Sequence, residues 1–273
     1  MSKKRRKIAV MQGDAEFMTK PYAVIRRVET KQSEGFPYEA VHNSKTFLKC
    51  QFHCHVQGDP LDNIQHTAKE LLTHAKKVGF DVVSITCHRK IHFSKTLEQY
   101  AQKLDILLIP GIEFEINGKH ILCINAHKNI EKVDSYEKLE IYKKAHQDSL
   151  IIAAHPFFPG KIALQKDLPK NIDLFDAIEN SFCYTKKIDF NKKAQKLAQQ
   201  HNKPFLALAD CHILPYLDIG YIKVKAQKNA SAIIKAIKNH QYQNFTEPKS
   251  LWQITKILFQ MYMLGFRGKR GRK

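Results

Sequence analysis

Short apolar runs alternate with amphipathic segments from Thr46 onward, and this alternation predicts a fold built of strands and helices. Runs of about five apolar residues are typical of strands that are buried on both faces. Strands are predicted at 47–53, 81–87, 105–112, 120–125, 150–154, 173–179, 204–209 and 219–224. Helical spacing predicts helices near 63–78, 94–104, 135–147, 188–201 and 229–240. Strands that alternate with helices predict a parallel sheet, and at this length a closed or nearly closed barrel.

The chain divides into three predicted parts. Residues 1–45 form a basic, irregular extension, in which 21–28 is a candidate strand. Residues 46–245 form the barrel domain, and residues 246–273 form an apolar helix with a basic tail. The 273 residues suffice to bury one sizeable core, so the barrel is expected to be a single domain.

Histidines and acids follow the apolar runs at the points where the predicted strands end. They are His53, His55, His88, Glu113, His155, Asp210 and His212. A single buried histidine is more often a hydrogen-bonded core residue than a ligand, but repetition at five strand ends favours a shared site. In a barrel, the carboxyl ends of the strands build such sites. Imidazole and carboxylate together are typical ligands of zinc, manganese or iron, so the pattern predicts a metal centre.

Five blocks in this order resemble the PHP (polymerase and histidinol phosphatase) family, and the resemblance covers about residues 47–240. The blocks are His53-Cys-His55, the segment 79–88 that ends Thr-Cys-His, Pro110-Gly-Ile-Glu113 with His120, Ala154-His155-Pro156, and Ala209-Asp210-Cys-His212. Flanking segments 176–180 and 191–194 are also similar to the family.

The resemblance implies a distorted (β/α)7 TIM-like barrel of the PHP type that holds two or three divalent metal ions (Zn, Mn or Fe). The implied ligand sets are His53, His55, Glu113 and Asp210 for one ion, Glu113, His120 and His155 for a second, and His88, His212 and Asp59 for a third. Glu113 would bridge the first two ions. His127 is a lesser candidate for the role of His120, because it lies past the strand.

Two features depart from the family pattern. The second block usually reads Thr-Asp-His, whereas Cys87 stands here in place of the aspartate. Cys87 is either a thiolate ligand or a packing residue, and packing is favoured because neighbours on a strand point to opposite faces. The loop after His55 is short, which leaves Asp62 as a rival to Asp59 and weakens the prediction of a third ion.

Net charge adds a possible partner class. The formal charge is +19, and ten of the cations lie in two tails that hold no acid. These are Lys3, Lys4, Arg5, Arg6 and Lys7, and Arg267, Lys269, Arg270, Arg272 and Lys273. The tails are expected to attract nucleic acid or an anionic membrane surface. Six cysteines without a disulfide-type spacing, and no secretory signal, favour the cytoplasm.

The C-terminal helix is crowded with apolar residues from Leu251 to Phe266 and precedes five cations. Such a segment can lie on an anionic membrane, which would make the protein peripheral. The favoured alternative is that the helix packs on the barrel and only the tail is free.

Together these features predict an enzyme: a metal-dependent phosphoesterase that hydrolyses a small phosphorylated metabolite or a nucleotide. Glu113, Asp210 and His212 are the expected catalytic residues, with His212 or a metal-bound water as the proton donor to the leaving oxygen. Arg89, Lys90 and Lys161 follow ligand blocks and are expected to bind the phosphate. A nuclease acting on short RNA or DNA is one alternative. A non-catalytic protein that binds polyanions or membranes on a PHP scaffold is another.

Overall fold

The structure is a computed structural model that describes residues 46–265. The strands are β1 Thr46–Gln51, β2 Val82–Ile85, β3 Leu107–Ile116, β4 Lys119–Ile124, β5 Leu150–Ala153, β6 Ala177–Ser181, β7 Phe205–Leu208, β8 Gly220–Ala226 and β9 Tyr242–Thr246. The helices are α1 Ala68–Lys77, α2 Lys95–Lys103, α3 Tyr136–Ala145, α4 Asp167–Lys170, α5 Asn191–Gln200, α6 Ala230–Lys238 and α7 Leu251–Gly265.

Nine strands form one sheet in the order β7-β6-β5-β4-β3-β2-β1-β8-β9. The pairs β1–β2, β2–β3, β5–β6 and β6–β7 are parallel, whereas β4 and β8 are antiparallel to both of their neighbours. The sheet is therefore mixed, with antiparallel strands inserted into the parallel arrangement that the alternation predicts. The tight turn at Asn117-Gly118 reverses the chain between β3 and β4, since both residues adopt a left-handed conformation.

Side chains nearly close the sheet into a barrel where the edge strands β7 and β9 meet. The Tyr242 hydroxyl accepts a hydrogen bond from the Phe205 backbone N–H (2.8 Å). The Asn244 amide accepts from the Ala207 N–H (2.8 Å) and donates to the Phe205 carbonyl (2.7 Å). These bonds satisfy backbone groups that an open edge would expose. The predicted nearly closed, TIM-like barrel is thereby confirmed.

The helices cover the barrel in three groups. Residues of α1 and α2 pack against β2 and β3, and residues of α3, α4 and α5 pack against β3–β6. Residues of α6 join the cluster formed by β1–β8. Helices α1, α2, α3 and α6 each begin at a Thr, Ser or Asn whose side chain accepts a backbone N–H bond, as an N-cap should. These caps satisfy backbone N–H groups at the helix starts that have no partner within the helix.

The C-terminal helix α7 packs on the barrel through one face, which agrees with the favoured alternative. Ile257 is only 5% exposed and packs with Phe182 and Cys183. The Tyr216 hydroxyl donates a hydrogen bond to Gln260. The opposite face carries exposed apolar side chains, among them Trp252 (70% exposed). No helix within residues 46–265 has the length and apolarity needed to cross a membrane.

The predicted elements from 47 to 240 all occur, with ends that differ by a few residues. The segment predicted as a strand from 173 begins with a 3₁₀ turn at Ile172–Leu174, and β6 starts at Ala177. Strand β9 and the single turn α4 were not predicted. The candidate strand at 21–28 and both basic tails lie outside the described residues.

Candidate metal centre

One end of the barrel collects the predicted ligands because most of them follow strands that run in the same direction. His53 and His55 follow β1, His88 follows β2, and His155 follows β5. Strand β4 runs the opposite way, so His120, next to its first residue, lies at the same end as the residues that follow the parallel strands. The antiparallel strand thus adds a ligand that a uniformly parallel barrel would place elsewhere.

Backbone pairing continues past the strands and fixes which side chains face the site. Cys54 and Cys211 form a parallel bridge, in which His55 N–H bonds to the Cys211 carbonyl and Cys211 N–H bonds to the His53 carbonyl (3.0 Å each). Alternate side chains on extended backbone point to opposite faces. The histidines therefore face inward, while both cysteines join the apolar cluster under α1 and α2.

Cys87 also packs in that apolar cluster, as favoured from the sequence. It is 1% exposed, and burial raises the pKa of its thiol to about 12. Its nearest hydrogen-bond partner is the Val56 carbonyl, 3.9 Å from the sulfur. The structure thus gives Cys87 a neutral thiol in the core, directed away from the histidines.

The Glu113 carboxylate lies at the centre of five imidazoles and is 1% exposed. Oε1 lies 2.8 Å from His120 Nδ1 and 3.4 Å from His155 Nε2. Oε2 lies 3.1 Å from His88 Nε2, and 3.4 Å from Nε2 of both His53 and His55. The two oxygens therefore face two different sets of histidines, which is the arrangement that a bridging carboxylate requires.

Asp210 completes the set on the His53 side. Its Oδ1 lies 3.2 Å from His53 Nε2, 3.4 Å from His55 Nε2 and 3.5 Å from His212 Nδ1. Asp210 and His155 both have positive φ angles, 45° and 26°. Such backbone is costly for non-glycine residues and is concentrated at functional sites, so strain is tolerated here to aim these side chains.

Several buried polar atoms of these residues have no hydrogen-bond partner among the described residues. They are His53 Nε2, His55 Nε2, His155 Nδ1 and Glu113 Oε1, whose 2.8 Å contact with His120 Nδ1 lacks hydrogen-bond geometry. An unpaired buried polar atom costs about 1–3 kcal/mol, so several in one place call for a bound group. Divalent ions fit this donor set, because three groupings of these residues place ligand atoms within 4.8 Å of one another: His53–His55–Asp210, His53–Glu113–His155 and His88–Glu113–His120.

Two buried acids stand behind the histidines and orient them. Asp59 accepts from His55 Nδ1 (2.9 Å) and His88 Nδ1 (3.0 Å), and also from the backbone N–H groups of residues 61, 62 and 88. Glu179 lies 3.2 Å from His53 Nδ1 and accepts the His155 N–H (2.8 Å). Such partners fix the ring orientation and leave Nε2 free for a metal. From the sequence, Glu179 was identified only as part of the flanking segment 176–180, and its role behind the histidines was not predicted.

Asp62 rather than Asp59 faces the open side of the centre. Its Oδ2 lies 3.0 Å from His212 Nε2 and 3.6 Å from His88 Nδ1. Asp59, Asp62, His55 and His88 form a further group that could hold an ion. Because the Asp59 oxygens already accept five N–H groups, Asp62 is the better placed carboxylate for a third ion.

Charge coupling within the centre shifts several pKa values. Burial alone would lower the pKa of His53, but Asp210, Glu179 and Glu113 raise it well above its ordinary value. Against the same burial effect, Glu113 and Asp59 raise the pKa of His88 to about 11, and Asp210 and Asp62 raise that of His212 to about 9. Burial would raise the pKa of Glu113, yet His120, His53 and His88 hold it well below the usual range. Protons therefore occupy the centre when ions do not.

A cavity of about 510 Å³ opens above the centre. The expected phosphate-binding cations are not among its lining residues. Arg89 is held by Glu115, which does line the cavity, through bonds of 2.5 and 3.2 Å. Lys90 lines a separate depression, and Lys161 is exposed, with its carbonyl accepting from Lys119 Nζ.

His127 lies in a surface group with His146 and Asp148, whereas His120 contacts Glu113, which favours His120 as the ligand.

Comparison with known proteins places this barrel among PHP folds. Residues 189–242 match the family model described as PHP-associated, a segment that includes Asp210 and His212. No curated protein matches the chain by sequence. A two-domain protein from Bacteroides vulgatus that contains a predicted PHP-like metal-dependent phosphoesterase has a TM-score of 0.59 at 18% identity, over 84% of this chain and 75% of that one.

Two endonuclease structures share the fold. The lesion-specific endonuclease PfuEndoQ from Pyrococcus furiosus has a TM-score of 0.56 at 16% identity, over 78% of this chain and 66% of that one. Endonuclease Q, in complex with a 27-mer duplex substrate that has an abasic lesion at the active site, has a TM-score of 0.56 at 17% identity, over 74% and 60%. The matched segment and the shared fold confirm the PHP resemblance that the sequence blocks indicated.

Glu179→Gln is expected to weaken metal binding about 10- to 100-fold, because Glu179 holds the His53 ring and the His155 backbone. Metal affinity would be measured by competition with a chelator of known affinity. Glu140→Gln is the matched control, since Glu140 is exposed and pairs with Lys144 on the surface of α3. Equal affinities in the two variants would show that Glu179 does not support the centre.

Metal affinity is expected to rise with pH. A metal needs neutral imidazole, but the raised pKa values of His88 (about 11) and His212 (about 9) keep these rings protonated near neutral pH. Each displaced proton contributes about a tenfold change per pH unit below these pKa values, so affinity should increase by at least roughly 100-fold from pH 6 to pH 8. Calorimetry in buffers of different ionisation enthalpy would count the released protons. A pH-independent affinity with no proton release would contradict the assignment.

Proposed function

We propose that the protein is a metal-dependent phosphoesterase that hydrolyses a phosphate ester at the Glu113 centre. The observation that carries this proposal is the position of Glu113, whose two carboxylate oxygens face separate sets of buried histidines. Structural zinc would need only about four ligands in a closed tetrahedron, often with thiolates. Here the ligand-type residues are more numerous, and the cysteines of the motifs face away from them.

Glu113 would hold two ions, with His53, His55 and Asp210 on one and His120 and His155 on the other. His88 is close to the same carboxylate (3.1 Å from Oε2), and a third ion would lie between His88, His212 and Asp62. The ligand chemistry suits zinc, manganese or iron. When bound, such ions would polarise the phosphoryl group and lower the pKa of water, so that hydroxide is available near neutral pH.

The protein's own groups then position the ester and supply a proton. His212 lines the cavity, with Nε2 3.0 Å from Asp62 and Nδ1 2.9 Å from the Asp210 carbonyl. When no ion lies between His212 and Asp62, the ring is held from both sides and can present its Nε2 proton to the leaving oxygen. Asp59 and Glu179 keep the ligand rings fixed, so that the reacting geometry needs little reorganisation.

A nuclease is the second candidate function. The net charge of +19 and the fold shared with PfuEndoQ and endonuclease Q favour it. Comparing turnover of an aryl phosphate with that of single- and double-stranded oligonucleotides separates the two candidates. A non-catalytic polyanion- or membrane-binding scaffold is the third, and hydrolysis of either substrate class by metal-loaded protein would exclude it.

Glu113→Gln should lower phosphate-ester turnover by at least about 100-fold, because the amide keeps the shape but loses the charge that faces both ion sites. Turnover of phenyl phosphate would be compared with wild type at equal metal loading, with Glu140→Gln as the surface control. A loss below about threefold would mean that Glu113 does not bridge the ions.

The two basic tails are proposed to attract polyanions without taking part in hydrolysis. Deleting residues 1–8 and 267–273 should weaken binding to single-stranded nucleic acid or anionic vesicles. It should also flatten the salt dependence, whose slope on single strands is roughly −0.7 per phosphate contact. Phenyl phosphate turnover should stay nearly unchanged. Loss of that turnover in a folded, metal-loaded truncation would place a tail in the active site.

A further inference from the structure

We infer that the cavity above the metal centre selects a phosphate ester whose organic group is apolar, such as an aryl or short alkyl chain. The inference rests on the proposed function, because it places the phosphate on the ions held around Glu113. It goes further in naming the class of substrate from the walls of the cavity.

The cavity has a polar floor and apolar walls. The floor consists of the ligand residues, including His88, His120, His155 and Asp210. The walls are formed by apolar side chains from separate parts of the chain, namely Leu61, Phe158, Ile162, Phe182, Leu258 and Met261. A phosphate held at the floor therefore projects its ester group between aliphatic and aromatic side chains.

The charge of the walls argues against a polyanion or a second phosphate in the cavity. No Lys or Arg lines it among residues 46–265, whereas Asp62 and Glu115 do. Arg89, which follows His88 in the sequence, is paired with Glu115, and its side chain is 57% exposed. Grooves that follow a nucleic-acid backbone are lined by cations, and this one is not.

A sugar would also find few partners on these walls. Among the described lining residues, Ser181 is the one that carries a hydroxyl group, and the other polar residues are the ligands and the two acids. A hydroxyl taken from water without a hydrogen bond costs roughly 1–3 kcal/mol in proteins. An alkyl or aryl group loses nothing in this way and gains from leaving water, so the walls favour it over a polyol.

Helix α7 supplies one wall and is itself anchored beside the cavity. Ile257 is buried against Phe182 and Cys183, and Met261 packs in the same cluster. Gln260 is bonded to Tyr216 on the barrel. These contacts hold Leu258 and Met261 over the opening, so the apolar wall is part of the folded protein. The volume of about 510 Å³ lies within the usual range for small-molecule sites.

Binding of a homologous ligand series tests this inference without relying on turnover. The full chain loaded with Mn²⁺ would be titrated with methyl-, ethyl-, propyl- and butylphosphonate, which keep the phosphate-like head and vary only the apolar group. Each methylene moved from water into an apolar site is worth up to about fourfold in affinity. With half of that effect realised, butylphosphonate should still bind at least about fivefold more tightly than methylphosphonate.

Two matched variants locate the effect. Met261→Ser removes apolar surface from the wall, so the gain from methyl- to butylphosphonate should fall by at least about half. Phe259→Ser is the control, because Phe259 is 60% exposed on α7 and does not line the cavity. Its gain with chain length should equal that of wild type. Circular dichroism would verify that both variants are folded.

The outcomes separate this inference from the proposed function. Affinity that stays flat or falls with chain length in wild type, while phenyl phosphate is hydrolysed, overturns the inference and leaves the phosphoesterase intact. A rising series without any turnover supports the apolar ligand class and overturns the enzyme. A rising series that Met261→Ser and Phe259→Ser change equally would place the apolar group elsewhere and would also overturn it.

Discussion

The buried carboxylate of Glu113 is the constraint on which the rest of the site depends. A carboxylate that is almost fully withdrawn from water carries a large desolvation cost unless charge or hydrogen bonds compensate it. Five imidazoles from four different strand ends surround it, and no single local segment could supply them. The barrel is what brings them together, since it directs the ends of β1, β2 and β5 and the start of β4 to one place. The Glu113 carboxylate can therefore be buried only because the strand arrangement brings the compensating histidines to it.

The acids behind the histidines need the same kind of compensation as Glu113. Asp59 and Glu179 are themselves buried, and each is satisfied by ring N–H and backbone N–H donors. Their hydrogen bonds to Nδ1 hold the rings of His53 and His55 with Nε2 turned toward the centre, where Nε2 has no hydrogen-bond partner. The orphaned atoms are a cost in the folded chain that a bound cation offsets. Ions at this centre are therefore expected to stabilise the fold as well as to support catalysis.

Sequence patterns predicted what depends on local order, and missed what depends on distant contacts. Apolar runs and the residues that follow them indicated most of the strands and the candidate ligands, because a strand buried on both faces leaves a clear local signal. Strand β9 is only half buried and contains Gln243 and Asn244, so it has no such signal. The role of Glu179 was missed because its partner His53 is 126 positions away. Asp59 and Asp62 are three residues apart, and only the folded loop shows which one turns toward His212.

The distribution of charge makes the net charge a poor guide to this site. The chain carries an excess of 19 cations, yet the described residues that line the cavity include acids and no Lys or Arg. Long-range attraction depends on the whole charge distribution and is screened within about 8–10 Å at physiological salt. Discrimination at the reacting atoms depends on the side chains in contact. A basic surface can therefore bring the protein to a polyanion while the site itself selects a group of different chemistry. The two properties are carried by different residues, so selection can alter one without altering the other.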